Sequence, residues 1–190
     1  MTGAWQAVIV VLTLLVLIEA VLILSLYRQF GEIYLGQRDA RSRDGLPVSS
    51  RAPSWDAFDV AEDKRTSRAF LGRALALVFV EPSCGPCKQL LTSLGGFARD
   101  HAASLAVAVA GASDEIDNKQ MVQRYELALP VLTQREQHLA ALFNVTATPF
   151  VHVIDEEGLI RAKGIVNTRA QLEEMVAPFI HAPSQERVIA

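Results

Sequence analysis

Residues 75–91 read LALVFVEPSCGPCKQLL, and this stretch decides the fold. The continuous apolar run at its start predicts a β-strand that is buried on both faces. The leucines that follow Cys87 continue at helical spacing as far as Phe97, which predicts a helix from about residue 85. A strand, a short turn and a helix therefore follow one another directly, and both cysteines of the chain lie where the turn meets the helix.

The spacing of these cysteines indicates redox chemistry. A helix N-terminus presents free N–H groups and the positive end of the helix dipole, which stabilise a thiolate on the first cysteine. The two intervening residues, Gly85 and Pro86, let the second thiol close a disulfide across the first turn. A proline suits this position because an N–H in the first turn has no helical partner. We therefore assign Cys84 as the nucleophile and Cys87 as the buried resolving thiol.

Other uses of two cysteines fit this pattern less well. A zinc site would need further ligands, and the four histidines of the chain include no pair spaced by three or four residues. Copper-delivery proteins place three residues between their cysteines, and a peroxidatic cysteine would need Pro-x-x-x-Thr-x-x-Cys before Cys84. Two purely structural cysteines are the remaining alternative. We predict no metal site, and no cofactor other than a redox-active disulfide between Cys84 and Cys87.

The rest of the apolar pattern predicts an α/β fold. Apolar runs predict strands near residues 75–80, 105–110, 130–132, 150–154 and 159–166. Amphipathic stretches predict helices near residues 85–97, 114–127, 136–143 and 168–180. Strands that alternate with helices imply a central sheet with helices on both faces, and the final hairpin makes this sheet mixed.

The chain has four predicted parts. Residues 7–26 read AVIVVLTLLVLIEAVLILSL, twenty residues whose single charge is Glu19, which is long and apolar enough to cross a membrane. No basic segment precedes this run and no small-residue cleavage site follows it closely, which favours an uncleaved anchor over a signal peptide. We assign residues 1–28 to a transmembrane anchor, 29–52 to a juxtamembrane stem, 53–182 to the redox domain and 183–190 to a flexible tail.

The amino-acid composition speaks against two classes of protein, nucleic-acid-binding proteins and wholly disordered ones. The 190 residues include 18 Lys and Arg against 21 Asp and Glu, a formal net charge of −3. This balance speaks against a nucleic-acid partner, which normally requires a basic excess. Hydrophobic residues make up 51% of the chain, which excludes a wholly disordered protein.

Two motifs resemble the thioredoxin superfamily. The strand that leads into the Cys84–Cys87 motif is similar to its active site, and the segment Thr148–Gly158 is similar to its later strand and turn. The resemblance implies a thioredoxin-like fold, a cis proline at Pro149 beside the disulfide, and a substrate segment that pairs with the backbone of Thr148. The strand and helix between the motifs, together with the N-terminal anchor, resemble the TlpA/ResA-like branch.

A narrower resemblance is to the MauD family of methylamine-utilisation accessory proteins. It rests on the span that ends in Tyr27–Gly31, on Cys87–Leu91 and on Gly164–Arg169. It implies a protein that helps to form or sort disulfides in the small subunit of periplasmic methylamine dehydrogenase, with a membrane or periplasmic redox partner. The alternatives are a TlpA/ResA-like reductant for cytochrome c or copper-site assembly, and a tethered assembly chaperone that needs no redox cycling.

The chain departs from the thioredoxin pattern around the cysteines. Val78 stands where thioredoxins carry a buried acid, and Ser83 where a tryptophan usually precedes the first cysteine. Glu81 is a candidate substitute for the acid, and a surface glutamate without that role is the alternative. Gly85 and Pro86 form the thioredoxin-like dipeptide, whereas MauD proteins tend to have proline directly after the first cysteine. The direction of electron flow is therefore left open.

Two arguments disagree about orientation. Arginines at positions 28, 38, 41 and 43 follow the span, and the positive-inside rule would keep the main domain in the cytoplasm. The family resemblance implies a periplasmic domain instead, and acidic residues in the stem offset part of the positive charge. We therefore expect a single-pass protein of the inner (cytoplasmic) membrane with a periplasmic redox domain.

Overall fold

A computed structural model describes residues 2–112, 114–133 and 139–180 of the chain, and it confirms the α/β class. The helices are α1 (Thr2–Arg43), α2 (Gly85–Asp100), α3 (Glu115–Tyr125), α4 (Leu139–Leu142) and α5 (Arg169–Val176). The strands are β1 (Asp56–Phe58), β2 (Lys64–Thr66), β3 (Ala74–Val80), β4 (Leu105–Gly111), β5 (Val131–Leu132), β6 (Phe150–Ile154) and β7 (Ile160–Ile165). The predicted tail, residues 183–190, and the first residues of the predicted helix 136–143 lie outside the described residues.

The central sheet has five strands in the order β5-β4-β3-β6-β7. Strands β3, β4 and β5 run parallel, while β6 is antiparallel to both β3 and β7, so the sheet is mixed as predicted. Strand β3 lies in the middle and all seven of its residues are buried. Its continuous apolar sequence thus reflects two covered faces.

Each face of the sheet carries its own apolar core. On one face, Val78 and Val80 pack with Cys87, Leu90 and Leu94 of α2. Residues of α3 and α5 complete that cluster. The other face packs against α4 and the segment before β3, through aromatic residues that include Trp55, Phe79, Phe143 and Phe150. Helix α2 therefore rests on a continuous core, which gives its N-terminus a rigid support.

A small hairpin of β1 and β2 was absent from the sequence prediction. Its turn is closed by the buried carboxylate of Asp59, which accepts hydrogen bonds from the N–H groups of Ala61 (2.9 Å) and Asp63 (3.1 Å) and from Nε of Arg65 (2.8 Å). The hairpin joins the free edge of β5, where the N–H of Val60 donates to Val131 at 3.0 Å. Strands of three residues are too short to show an alternating pattern, which is why they escaped prediction.

Helix α1 contains a segment that is long and apolar enough to cross a membrane. Its residues Val8–Ser25 have a mean hydropathy of 3.0 and none of them is buried. The helix continues to Arg43, well past the predicted end of the anchor near residue 28. The predicted stem is therefore helical over much of its length.

The last part of the predicted stem belongs to the redox domain. Asp44 and Gly45 are buried, and the N–H of Gly45 donates to the carbonyl of Asn144 at 2.7 Å. The N–H of Ser49 donates to the carbonyl of Ile160 at 2.7 Å, so this segment is hydrogen-bonded to the start of β7. The structure therefore differs from the prediction that the stem runs to residue 52. The sequence did not reveal this, because a short segment that pairs with distant residues has no periodic pattern.

Candidate active site

Cys84 occupies the N-cap of α2, immediately after the turn that follows β3. The turn is closed by a hydrogen bond from the N–H of Cys84 to the carbonyl of Glu81 at 3.0 Å. The N–H of Cys87 donates to Sγ of Cys84 at 3.2 Å. This donor and the helix dipole point at the same sulfur, and both stabilise negative charge on it when the pair is reduced.

Cys84 and Cys87 form a disulfide, with their Cα atoms 5.2 Å apart. The two sulfurs differ in exposure, because Cys84 is half-buried and Cys87 is fully buried. Gly85 and Pro86 between them are exposed, and Pro86 lies in the first turn of α2. A molecule in solution therefore meets Cys84 first.

The loop of residues 146–149, which we call the proline loop, completes the site on the side of β6. The peptide bond between Thr148 and Pro149 is cis, and the carbonyl oxygen of Thr148 lies 3.5 Å from Sγ of Cys84. The sheet register explains this proximity. Phe79 near the end of β3 pairs with Phe150 at the start of β6, so the residues just outside both strands meet. The sequence resemblance implied this arrangement, and the structure contains it.

The structure shows the surroundings of the residues that depart from the thioredoxin pattern near the disulfide. Val78 is fully buried in the core that also contains Cys87, so an apolar side chain fills the position of the usual acid. Glu81 is exposed and accepts a hydrogen bond from Oγ of Ser83 at 2.7 Å. An exposed carboxylate is well solvated, so its influence on the buried thiol is weak.

A buried histidine lies behind the proline loop. His152 of β6 is fully buried, and its ring lies 5.1 Å from Phe150 and 5.2 Å from Phe143, between ring centroids. The pKa of His152 is lowered to about 4, mainly by burial and in smaller part by the positive charge of Lys163, while Asp44 acts in the opposite direction. The imidazole is therefore neutral at pH 7. Sequence reasoning considered this residue only as a metal ligand.

Within the part of the chain that the structure describes, no group of three or more His, Cys, Asp or Glu side chains is arranged to hold a metal ion.

Comparison with known proteins agrees with this geometry. The AhpC/TSA family profile matches residues 48–163, which is more than half of the chain. The chain belongs to the AhpC/TSA family. The chain is 31% identical over 163 residues to the methylamine utilization protein MauD of Methylorubrum extorquens, a match that covers 83% of this chain and 78% of that protein. It is also 25% identical over 133 residues to the thiol-disulfide oxidoreductase ResA of Bacillus cereus, covering 68% of this chain and 76% of that one.

Solved structures share the fold of this AhpC/TSA family member. The thioredoxin domain of a thiol-disulfide oxidoreductase from Bacteroides vulgatus superposes with a TM-score of 0.64 at 17% identity, covering 72% of this chain and 99% of that one. StoA from Bacillus subtilis superposes with a TM-score of 0.56 at 18% identity, covering 65% and 96%. The fold is thus thioredoxin-like. Together with its relatives, the Cys84–Cys87 disulfide identifies the protein as a thiol–disulfide oxidoreductase.

Proposed function

We propose that the protein exchanges disulfides with client proteins through a mixed disulfide on Cys84. In the reducing direction, the Cys84 thiolate attacks a client disulfide, forms a mixed disulfide and releases one client thiolate. The Cys87 thiolate then attacks Sγ of Cys84, which closes the Cys84–Cys87 disulfide and releases the second client thiolate. Two electrons pass to the client, and the same steps in reverse oxidise a client dithiol. The difference in exposure between the two sulfurs carries this proposal.

The surrounding residues have supporting roles in this proposal. Pro86 and Gly85 shape the first turn of α2, which holds the N–H of Cys87 against Cys84. Thr148, held next to Pro149, offers its backbone to an extended client segment beside the disulfide. The cycle needs no cofactor besides the redox-active pair, because both electrons are stored in the two sulfurs.

The proposed location is the inner membrane, with the redox domain in the periplasm. The apolar segment Val8–Ser25 supports anchoring, because its length matches the hydrocarbon core of a bilayer. The similarity to MauD supports a periplasmic domain, where disulfides persist. A membrane-impermeant maleimide applied to spheroplasts tests this location. Labelling of Cys84 before lysis, with or without an impermeant reductant, is the expected result, and labelling only after lysis contradicts it.

The proposed client is the small subunit of methylamine dehydrogenase. The support is the 31% identity to a methylamine utilization protein MauD over 163 residues. A membrane or periplasmic redox partner would restore the cysteines after each cycle. The experiment is a trap: Cys87→Ser should accumulate a covalent, reductant-sensitive adduct with its client. Cys84→Ser is the matched control, which keeps one buried thiol and should capture nothing.

A reductant for cytochrome c or copper-site assembly is the second candidate function. It is favoured by the similarity to ResA and by the thioredoxin-like dipeptide Gly85-Pro86. The redox state of the cysteines in cells separates the two functions. A pair that is labelled only after reduction supports disulfide donation, whereas a pair labelled directly supports a reductant. If Cys84→Ser/Cys87→Ser together still restore client maturation, the protein acts as a tethered chaperone and the exchange proposal is wrong.

A further inference from the structure

The proline loop is held from behind by the carboxylate of Asp44. Oδ1 of Asp44 accepts hydrogen bonds from the N–H of Thr146 at 2.7 Å and from its Oγ1 at 3.0 Å. Oδ2 accepts from the N–H of Ala147 at 3.2 Å. The aspartate is only 6% exposed, so these bonds are shielded from water. Hydrogen bonds to an ionised acceptor are stronger than those between neutral groups.

The residues next to Asp44 hold the same region of the fold. The N–H of Gly45 donates to the carbonyl of Asn144 at 2.7 Å, and the N–H of Leu46 donates to Nε2 of His152 at 3.2 Å. Nζ of Lys163 donates to the carbonyl oxygens of Asp44 (2.7 Å) and Gly45 (2.9 Å). The segment is thus fixed to the residues on both sides of the proline loop and to β7.

The restraint on Ala147 reaches the redox site through a single residue. Thr148 follows Ala147 directly, and its carbonyl oxygen lies 3.5 Å from Sγ of Cys84. A single planar peptide unit joins the two residues, so holding the backbone of Ala147 limits the positions that Thr148 can adopt. Asp44 itself binds the two residues before Thr148, and its effect on the site is transmitted through the loop.

We propose that Asp44 is a positioning residue that holds the Thr148 backbone in the geometry required to bind a peptide segment beside Cys84. The proposal rests on the client-binding role of Thr148 put forward above. Asp44 directly follows Arg43, the last residue of α1. The end of the predicted stem is thereby part of the frame of the active site.

The test compares a peptide disulfide with a small one, using the full chain in detergent. Reduced enzyme is assayed with insulin, whose chains can pair with the Thr148 backbone, and with Ellman's reagent, which has no peptide backbone. Dithiothreitol regenerates the enzyme in the insulin assay. Asp44→Asn retains the shape of the side chain but replaces one acceptor with an amide donor. Thr146→Val is a milder second variant, which removes only the bond from Oγ1.

Asp155 supplies the matched control, because it closes a turn at the opposite end of β6. Its Oδ1 accepts from the N–H groups of Glu157 (3.1 Å) and Leu159 (2.7 Å), much as Asp44 accepts from Thr146 and Ala147. Asp155→Asn therefore removes a comparable interaction from the same strand. A purely structural effect on the sheet should appear in both aspartate variants.

We expect Asp44→Asn to raise the KM for insulin about tenfold, because hydrogen bonds to a charged acceptor are stronger than those between neutral groups. The rate with Ellman's reagent should stay within about twofold, and Thr146→Val should raise the insulin KM about threefold. Asp155→Asn should leave the ratio of the two activities unchanged.

Three outcomes would overturn the proposal: equal losses with both disulfides, an unchanged insulin KM, or the same KM change in Asp155→Asn. If Asp44→Asn does not fold, an unchanged KM in Thr146→Val overturns it. A wild-type chain that reduces Ellman's reagent but not insulin overturns the role of Thr148 and this proposal with it. Failure of the exchange mechanism is recognised separately, by the absence of a mixed disulfide in Cys87→Ser.

Discussion

The backbone N–H of Leu46 donates a hydrogen bond to Nε2 of His152 across 106 residues of chain. Because Nε2 accepts this bond, the proton of the neutral imidazole is on Nδ1. Among the described residues, Nδ1 has no hydrogen-bond partner, and the ring is enclosed by Phe79, Phe143 and Phe150. A second proton on this ring would break the bond to Leu46 and place a charge in an apolar core.

The stability of the domain should therefore fall as the pH falls below 6.5. His152 has an ordinary pKa of 6.5 when unfolded and about 4 when folded, mainly because of burial. Between these values the unfolded chain binds more protons, so the free energy of unfolding decreases as the pH decreases. The full contribution is present above pH 6.5, and about 2–3 kcal/mol of it is lost by pH 4.5.

The measurement is urea unfolding at several pH values, followed by the fluorescence of Trp55, which is 2% exposed. Trp5→Phe is the background variant, because Trp5 is exposed and would obscure the signal. His152→Phe should be less stable at pH 7 but should lose most of the pH dependence between 4.5 and 6.5. An unchanged pH dependence in this variant would assign the effect to other groups.

The two reduced thiols should react at very different rates. Cys84 is half-buried at the N-cap of α2, whereas Cys87 is fully buried beneath it. After reduction, we expect a maleimide to modify Cys84 about 100-fold faster than Cys87, because reaction requires an accessible thiolate. Quenched time points analysed by mass spectrometry give both rates. In denaturant the difference should disappear, and equal rates in the folded protein would contradict the assigned roles.

Gly45→Ala should destabilise the domain strongly. Gly45 has a φ of +73°, and a Cβ there would lie 2.7 Å from Cε1 and Cζ of Phe150 and 2.8 Å from Nε2 of His152. Gly72 is the matched control, because its φ is +82° but a Cβ there would meet nothing within 4 Å. We expect Gly72→Ala to cost about 1–2 kcal/mol for its backbone conformation alone.

Gly45→Ala should cost about 1–3 kcal/mol more than this control, because the added methyl group overfills the core. Chemical denaturation of both variants measures the difference. Equal costs for the two variants would mean that the segment after α1 moves away from β6 without penalty.

Glu81→Gln should have little effect on the closure of the Cys84–Cys87 disulfide. Glu81 is exposed, and its carboxylate accepts a hydrogen bond from Ser83. Solvent screens an exposed charge, so we expect the rate to change by less than about threefold. Stopped-flow fluorescence of resolution after mixing with a client disulfide measures this rate. A larger decrease, with a shifted pH profile, would establish Glu81 as the proton acceptor that replaces the acid missing at Val78.

The residues that carry the chemistry were readable from the sequence because their signals are local. A buried strand, a turn and the first turns of a helix capped by Cys84 follow one another within residues 75–91, and each follows from apolar spacing and helix-capping preferences. The mixed sheet followed from the alternation of strands and helices and from the final hairpin. The cis proline was implied by a resemblance to a motif.

The tertiary structure alone decided how this site is supported. Asp44 reaches Thr146 and Ala147 across 102 and 103 residues, whereas the sequence around it predicts only a juxtamembrane stem. The hairpin that closes the edge of β5 and the burial of His152 likewise depend on distant pairings. The spacing of apolar residues in a segment shows which of its faces is buried, but it does not show which distant residues pack against that face. A local pattern therefore determined the reacting sulfurs, and contacts between distant segments determined the frame that holds them.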